Sequence, residues 1–223
     1  VIERQAAKIG ADLRICGQHW HVTNEAGRLI YQDETGLLDL PMPCLLGPHQ
    51  IQNAGAAITT LRYLGQGEEA CIAAMLQAYW PARMQRLRHG LLVQSLPGHE
   101  IWLDGGHNPA AGRAIAATLA TLPKRDTHII CGMLNTKDVT GFLAPIAAHC
   151  ASLTTVTVPN EINAVPSADL AEVGRSCAIP SREASDVHVA LQNLSQRHPQ
   201  ARVLICGSLY LAGHVLREND SSA

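Results

Sequence analysis

Residues 100–122 constrain the fold more than any other part of the chain. Glu100-Ile101-Trp102-Leu103 has the letters of a short strand, and Asp104 follows at its carboxyl end. Gly105 and Gly106 permit positive φ and let a ligand approach the backbone closely. Asn108 is a good N-cap and Pro109 suits the first helical position. A helix then follows, with Ile115, Leu119 and Leu122 near one face. Asp104 and His107 therefore project from a strand-to-helix turn, at the edge where open α/β sheets bind ligands. An ordinary capped turn with a surface Asp and His has the same letters, because both residues are common in turns.

Beyond Pro81 the chain alternates. Strands are expected at 91–93, 101–103, 127–131, 153–158 and 202–206. Helices are expected at 109–122, 138–149 (kinked or restarted near Pro145), 167–175, 185–197 and 208–216. Such alternation predicts a mostly parallel, open α/β sheet covered on both faces. Ile129-Ile130-Cys131-Gly132 and Leu204-Ile205-Cys206-Gly207 share one form, an apolar strand ending in glycine. Both glycine turns should lie at the same sheet edge as Asp104.

Before Pro81 the pattern is different. Residues 1–9 read as the end of a helix stopped by Gly10. Short runs at 13–15, 20–22 and 29–31 read as small antiparallel strands. Residues 50–64 form a helix with a stripe of Ile51, Ala54, Ile58, Leu61 and Leu64. A second helix starts at Glu68, with Ile72, Met75, Leu76 and Tyr79 expected inward. Ala82-Arg83 reads as a linker, which gives two domains, 1–81 and 82–223.

Composition narrows the class. Hydrophobic residues make up 47% but aromatics only 4%, so the core must be aliphatic. A net charge of −2 gives no electrostatic case for nucleic acid or an acidic membrane. Seven widely spaced cysteines without a C-x-x-C pair fit buried free thiols in a reducing cytosol. No membrane-length apolar run occurs. His19-Trp20-His21 places two imidazoles on one face of a possible strand, but no further ligand pair nearby completes a metal site.

Five motifs stand in order along the chain. They are Leu46-Gly47-Pro48-His49-Gln50-Ile51-Gln52-Asn53-Ala54, Trp80-Pro81-Ala82-Arg83-Met84-Gln85, Asp104-Gly105-Gly106-His107-Asn108-Pro109, Gly132-Met133-Leu134-Asn135-Thr136-Lys137-Asp138 and Gly207-Ser208-Leu209-Tyr210-Leu211. Together they resemble the signatures of the folylpolyglutamate synthase and dihydrofolate synthase family, within the wider Mur ligase group. Gly106 stands where that family usually has alanine, and Ala82 where it usually has glycine. The family's phosphate grip, a Gly-rich loop ending G-K-S or G-K-T, does not occur between Val1 and Ala223. The family's full chains run to roughly twice this length, and this one opens on Val1. The resemblance therefore implies a carboxyl-terminal half. Residues 1–81 would be the remnant of a central ATPase domain, and 82–223 the Rossmann-like Mur ligase C-terminal domain.

The resemblance implies ATP-driven amide formation. A dihydropteroate or folate carboxylate would become an acyl phosphate, and L-glutamate would displace the phosphate. ATP and Mg²⁺ are the implied cofactors, with the metal ligands expected upstream. Asn53 is implied at the adenine edge, Arg83 at phosphate oxygens and Asp104 at the ribose hydroxyls. His107 would face the phosphates or the acyl phosphate as the catalytic residue. Lys137 would hold an anionic group of the substrate. Asp138 reads as a helix cap, while Ser208 and Tyr210 read as capping or packing the last helix. A cytoplasmic enzyme, monomeric at full length, is expected. Two other readings use the same letters: a Mur-type cell-wall ligase, and a non-catalytic nucleotide-binding module.

Overall fold

The computed structural model describes residues 1–220, which divide into two compact units, the first Val1–Tyr79 and the second beginning at Trp80. In the first unit, helix α1 (Ile2–Ile9) ends at Gly10, whose φ of 68° closes the last turn. Strands β1 (Trp20–Glu25), β2 (Arg28–Asp33) and β3 (Gly36–Pro41) form an antiparallel sheet in sequence order. Its register pairs Val22 with Tyr31 and Leu29 with Leu40. Helices α2 (His49–Tyr63) and α3 (Glu68–Gln77) complete the unit. Trp20, Val22, Leu29, Tyr31 and Leu40 form one core with Ala54, Ile58, Cys71 and Met75.

Several expectations for this unit need correction. Residues 13–15 are not a strand. The Trp20 indole N–H donates to the Arg14 carbonyl, and the Ile15 N–H donates to His19 Nδ1, so this segment is a side-chain-pinned loop. The third strand is β3, whose run of leucines lacks clean alternation. Leu76 and Tyr79 are exposed, because α3 ends at Gln77 and it is Cys71 and Met75 that point inward. Leu64 is also exposed, one residue beyond the end of α2.

The second unit is a six-stranded sheet. Its strands are β4 (Gln85–Leu87), β5 (Glu100–Leu103), β6 (Thr127–Cys131), β7 (Ser152–Thr155), β8 (Ser181–Glu183) and β9 (Arg202–Cys206). The spatial order is β4-β5-β9-β6-β7-β8. Only the β4–β5 pair is antiparallel. Helices are α4 (Leu91–Gln94), α5 (Pro109–Thr121), α6 (Val139–Leu143), α7 (Ser167–Ser176), α8 (Val187–Arg197) and α9 (Leu209–Asp220). A 3₁₀ turn, Ala144–His149, carries Pro145 directly after α6.

Strand alternation explains the layering. Along β6, Ile129 and Cys131 enter one core and Ile130 enters the other. Along β9, Leu204 and Cys206 oppose Val203 and Ile205. The first core is closed by Ile115 and Leu119 of α5, Phe142 and Leu143 of α6, and Leu170 of α7. The second is closed by Leu92 of α4, Leu191 and Leu194 of α8, and Leu211 and Val215 of α9. Every residue of β6 and β9 is buried, as expected for central strands covered on both faces.

Residues 91–93 form not a strand but the single helical turn α4. Gly90 sits at φ 106°, and a side chain there would collide with Asn219, whose Nδ2 donates to the His89 carbonyl at 2.8 Å. Strands β4 and β8 were not anticipated; each has three residues and lies at a sheet edge. The run 153–158 stops being a strand after Thr155.

At the amino end of β5, Glu100 is ringed by Arg202 at 3.1 Å, Arg125 at 3.5 Å and Arg86 at 3.6 Å. At the carboxyl end, Asp104, Gly132 and Gly207 share one edge. Asp104 N–H donates to Ile205, Gly132 N–H to Cys206, and Gly207 N–H to Gly106.

Candidate functional site at the carboxyl edge of the sheet

Asn108 opens α5 as its N-cap, its side-chain oxygen accepting from Ala111 N–H at 2.9 Å. The cap orients the turn from which His107 projects. His107 Nδ1 lies 2.8 Å from the Gly105 carbonyl oxygen. A carbonyl only accepts, so Nδ1 carries the proton and Nε2 is left for a ligand. As neutral imidazole, Nε2 accepts; as imidazolium, it donates to an anion.

His107 and Lys137 line one cleft of about 330 Å³. Leu134, Thr136 and the run Gly207, Ser208, Leu209 and Tyr210 complete its wall. Lys137 is exposed and sits in the turn after β6, where its N–H donates to Leu134 O at 3.1 Å. Asp138 caps α6, accepting from Gly141 N–H at 2.8 Å. Ser208 accepts from Tyr210 N–H at the start of α9, as a cap should. The Gly207–Tyr210 run thus has a second place, as cleft wall, which sequence reasoning missed. The available signal was its position, directly after a central strand at the edge that carries Asp104.

Asp104 is only 4% exposed. Its Oδ2 accepts from Met84 N–H at 2.8 Å and its Oδ1 from Gly106 N–H at 2.7 Å. The carboxylate therefore ties the segment before β4 to the turn after β5. A methyl on Gly106 would stand 2.8 Å from Asp104 Oδ1 and 2.9 Å from Ala111 Cβ, so this turn is built tightly around glycine. Arg83 is exposed and makes no hydrogen bond or ion pair among the described residues. It is not part of the cleft wall.

Asn53 belongs to the first unit. Its Nδ2 donates to Gln50 Oε1 at 2.9 Å, and Gln50 Nε2 lies 3.0 Å from His49 Nε2. It borders a separate hollow of about 480 Å³, walled by Ala54, Ala57, Ala73, Ala74 and Met75. His19 precedes β1 and uses Nδ1 on Ile15, so the His19–His21 pair is not a metal face. Among the described residues no group of three or more His, Cys, Asp or Glu is placed to hold a metal ion. No helix there is long and apolar enough to cross a membrane.

The chain is 28% identical to a folylpolyglutamate synthase of Lacticaseibacillus casei over 84% of its own length and 42% of that relative's. A solved bifunctional folylpolyglutamate synthase/dihydrofolate synthase from Yersinia pestis superposes with a TM-score of 0.80. It is 26% identical and covers 96% of this chain and 49% of its own. A Mycobacterium tuberculosis folylpolyglutamate synthase complexed with ADP and AMPPCP shares the fold, with a TM-score of 0.82 at 22% identity, over 100% of this chain and 52% of its own. Another solved synthase of this kind carries Mn, AMPPNP and L-glutamate. The chain spans about half the length, or less, of these relatives. Residues 82–209 match the family described as Mur ligase, glutamate ligase domain, which is more than half of the sequence, and the chain belongs to that family.

Proposed function

We propose that this chain supplies the amino-acid-binding and closing half of an ATP-dependent amide ligase that adds L-glutamate to dihydropteroate or a tetrahydrofolate. One observation carries the reading: His107 and Lys137 share a cleft with Gly207–Tyr210 at the carboxyl edge of a mostly parallel sheet. The likeness to folylpolyglutamate synthases supports the choice of substrates over cell-wall precursors. In this reading residues 1–81 belong to a central ATPase domain and residues 82–223 form the glutamate ligase domain.

The reaction divides into two displacements. The folate-side carboxylate attacks the γ-phosphorus of ATP, releasing ADP and leaving an acyl phosphate. The amine of glutamate then attacks the acyl carbon, phosphate leaves, and the amine loses a proton. Magnesium, held by residues outside this chain, would neutralise phosphate charge. Little covalent work falls to side chains; position and charge decide the rate.

Lys137 presents a flexible ammonium for a carboxylate of the incoming glutamate. His107 Nε2, as imidazolium, donates to the phosphoryl oxygens of the acyl phosphate. Arg83 offers a planar fork to phosphate oxygens. Asp104, at the same sheet edge, is assigned to the ribose hydroxyls, which a carboxylate can accept from. In the first unit, Asn53 keeps its carbonyl oxygen for a base edge. Seven free cysteines fit a reducing cytosol, and a monomer is the simplest assembly.

Ligation assays on a protein joining this chain to a phosphate-loop domain test the reading. Turnover with dihydropteroate or tetrahydrofolate, ATP and glutamate is expected, and none with nucleotide-sugar peptides. The reverse preference would replace the folate reading with the cell-wall one. Nucleotide binding without any ligation would favour a non-catalytic module.

A further inference from the structure

Six described non-glycine residues have positive φ, and only Ala82 and Met84 fall within three positions of each other, at 53° and 41°. The left-handed region is costly for residues with a Cβ, and it persists only where surrounding contacts over-determine it. Here they do. Ala82 N–H donates to Gln85 Oε1 at 2.9 Å. Ala82 O accepts from Gly105 N–H at 2.8 Å, and Met84 N–H donates to Asp104 Oδ2 at 2.8 Å. The Ala82 and Met84 side chains are buried. Between these two fixed, strained residues stands Arg83, exposed and without a partner among the described residues.

An arginine needed only for solubility does not require a strained backbone held by three hydrogen bonds beneath it. Strain of this kind gathers at ligand clamps, where it holds a group ready in advance of binding. The tie that belongs to the knuckle alone is Gln85. Asp104 and Gly105 also serve the turn after β5, whereas the Gln85 carboxamide reaches back three residues to close the loop around Arg83. We propose that Gln85 is a positioning residue: by locking the Ala82–Met84 knuckle it holds Arg83 at the carboxyl edge of the sheet, pre-set for a polyphosphate. The inference rests on the reading of Arg83 as a phosphate ligand.

The physical consequence is one of pre-organisation. Without the Gln85 bond, Ala82 and Met84 relax toward negative φ for part of the time, and Arg83 must be re-ordered by each incoming anion. Loss of one hydrogen bond should weaken polyphosphate binding about two- to tenfold while leaving the sheet unchanged. Glycine at position 82 removes the left-handed penalty, so Ala82→Gly should lessen the effect of Gln85→Ala.

The test uses the isotope-labelled chain with inorganic triphosphate as probe. Wild type, Gln85→Ala and Ala82→Gly/Gln85→Ala are compared for amide exchange at Ala82, ¹⁵N relaxation at Arg83 and triphosphate titration read at Arg83 Nε. Gln85→Ala should speed exchange at Ala82, raise Arg83 mobility and weaken triphosphate binding, with thermal melts unchanged; the double variant should recover part of the binding. Unchanged exchange and mobility in Gln85→Ala would overturn the proposal. So would altered mobility with undiminished triphosphate binding. If triphosphate leaves Arg83 unshifted in the wild type, the phosphate reading itself fails, while exchange and relaxation still decide whether Gln85 holds the knuckle.

Discussion

Replacing Asp104 by alanine removes acceptors from two buried backbone donors, Met84 N–H and Gly106 N–H. Each is a bond to an ionised acceptor, worth about 1.5–3 kcal/mol net, and each donor is left inside the protein without a partner. Two such losses sum to about 3–6 kcal/mol. The gain from no longer burying a carboxylate offsets part of this. A destabilisation of about 3 kcal/mol is the expected outcome. For a unit of this size that corresponds to a fall in melting temperature of about 6–12 °C. Because the chain has two units, a single melting curve mixes their transitions. Hydrogen exchange of peptides from β5, β6 and β9 isolates the second unit. Asp104→Ala should lower protection in all three strands. Asp104→Asn should fall between, since one amide oxygen still accepts while the NH₂ opposes a donor. Unchanged protection in β5 and β9 with Asp104→Ala would refute the bracing argument and leave ligand contact as the residue's whole role.

Stability should fall on acidification in two stages. Burial, with His198 stacked at 4.1 Å, pushes His128 below its ordinary 6.5, so the unfolded chain takes up that proton first and stability declines as pH drops below that value. Burial pushes Glu100 up, but bonds from Arg202 and Trp102 and the charges of Arg202 and Arg125 hold it below its ordinary 4.5; its contribution is present above that value and lost beneath it. Urea melts at pH about 5.5 and about 7.5 should differ less in His128→Gln than in wild type; an equal difference would refute the first stage. ¹⁵N spectra of His107 should show the Nδ1–H form of the neutral ring; an Nε2–H form would contradict the Gly105 bond. Lys137→Ala should leave stability within about 0.5 kcal/mol, as its side chain is exposed, yet weaken glutamate binding at least about tenfold. A large loss of stability would show that Lys137 is structural.

What the sequence made legible was local. The strand, turn and cap at residues 100–122 depend on neighbours in the chain, and Asn108 and Asp138 cap as their letters suggest. The failures were tertiary. Residues 91–93 have the letters of a strand, but Asn219, far along the chain, holds Gly90 where a helical turn starts. Strands β4 and β8 are too short for any period to show. The bond from Asp104 to Met84 spans twenty residues and leaves no local pattern, so the residue read as a ligand contact while its bracing role stayed hidden. His107 and Lys137 could be named singly from motifs; that they line the same cleft required the strand order β5-β9-β6.

The central claim is that the cleft at the carboxyl edge receives the amino acid to be ligated. Titration of the isotope-labelled chain with L-glutamate tests it most directly. The account predicts saturable shifts confined to His107, residues 134–137 and residues 207–210, lost in Lys137→Ala and absent with a neutral amine of similar size. Shifts that map elsewhere, or that persist undiminished in Lys137→Ala, would contradict it.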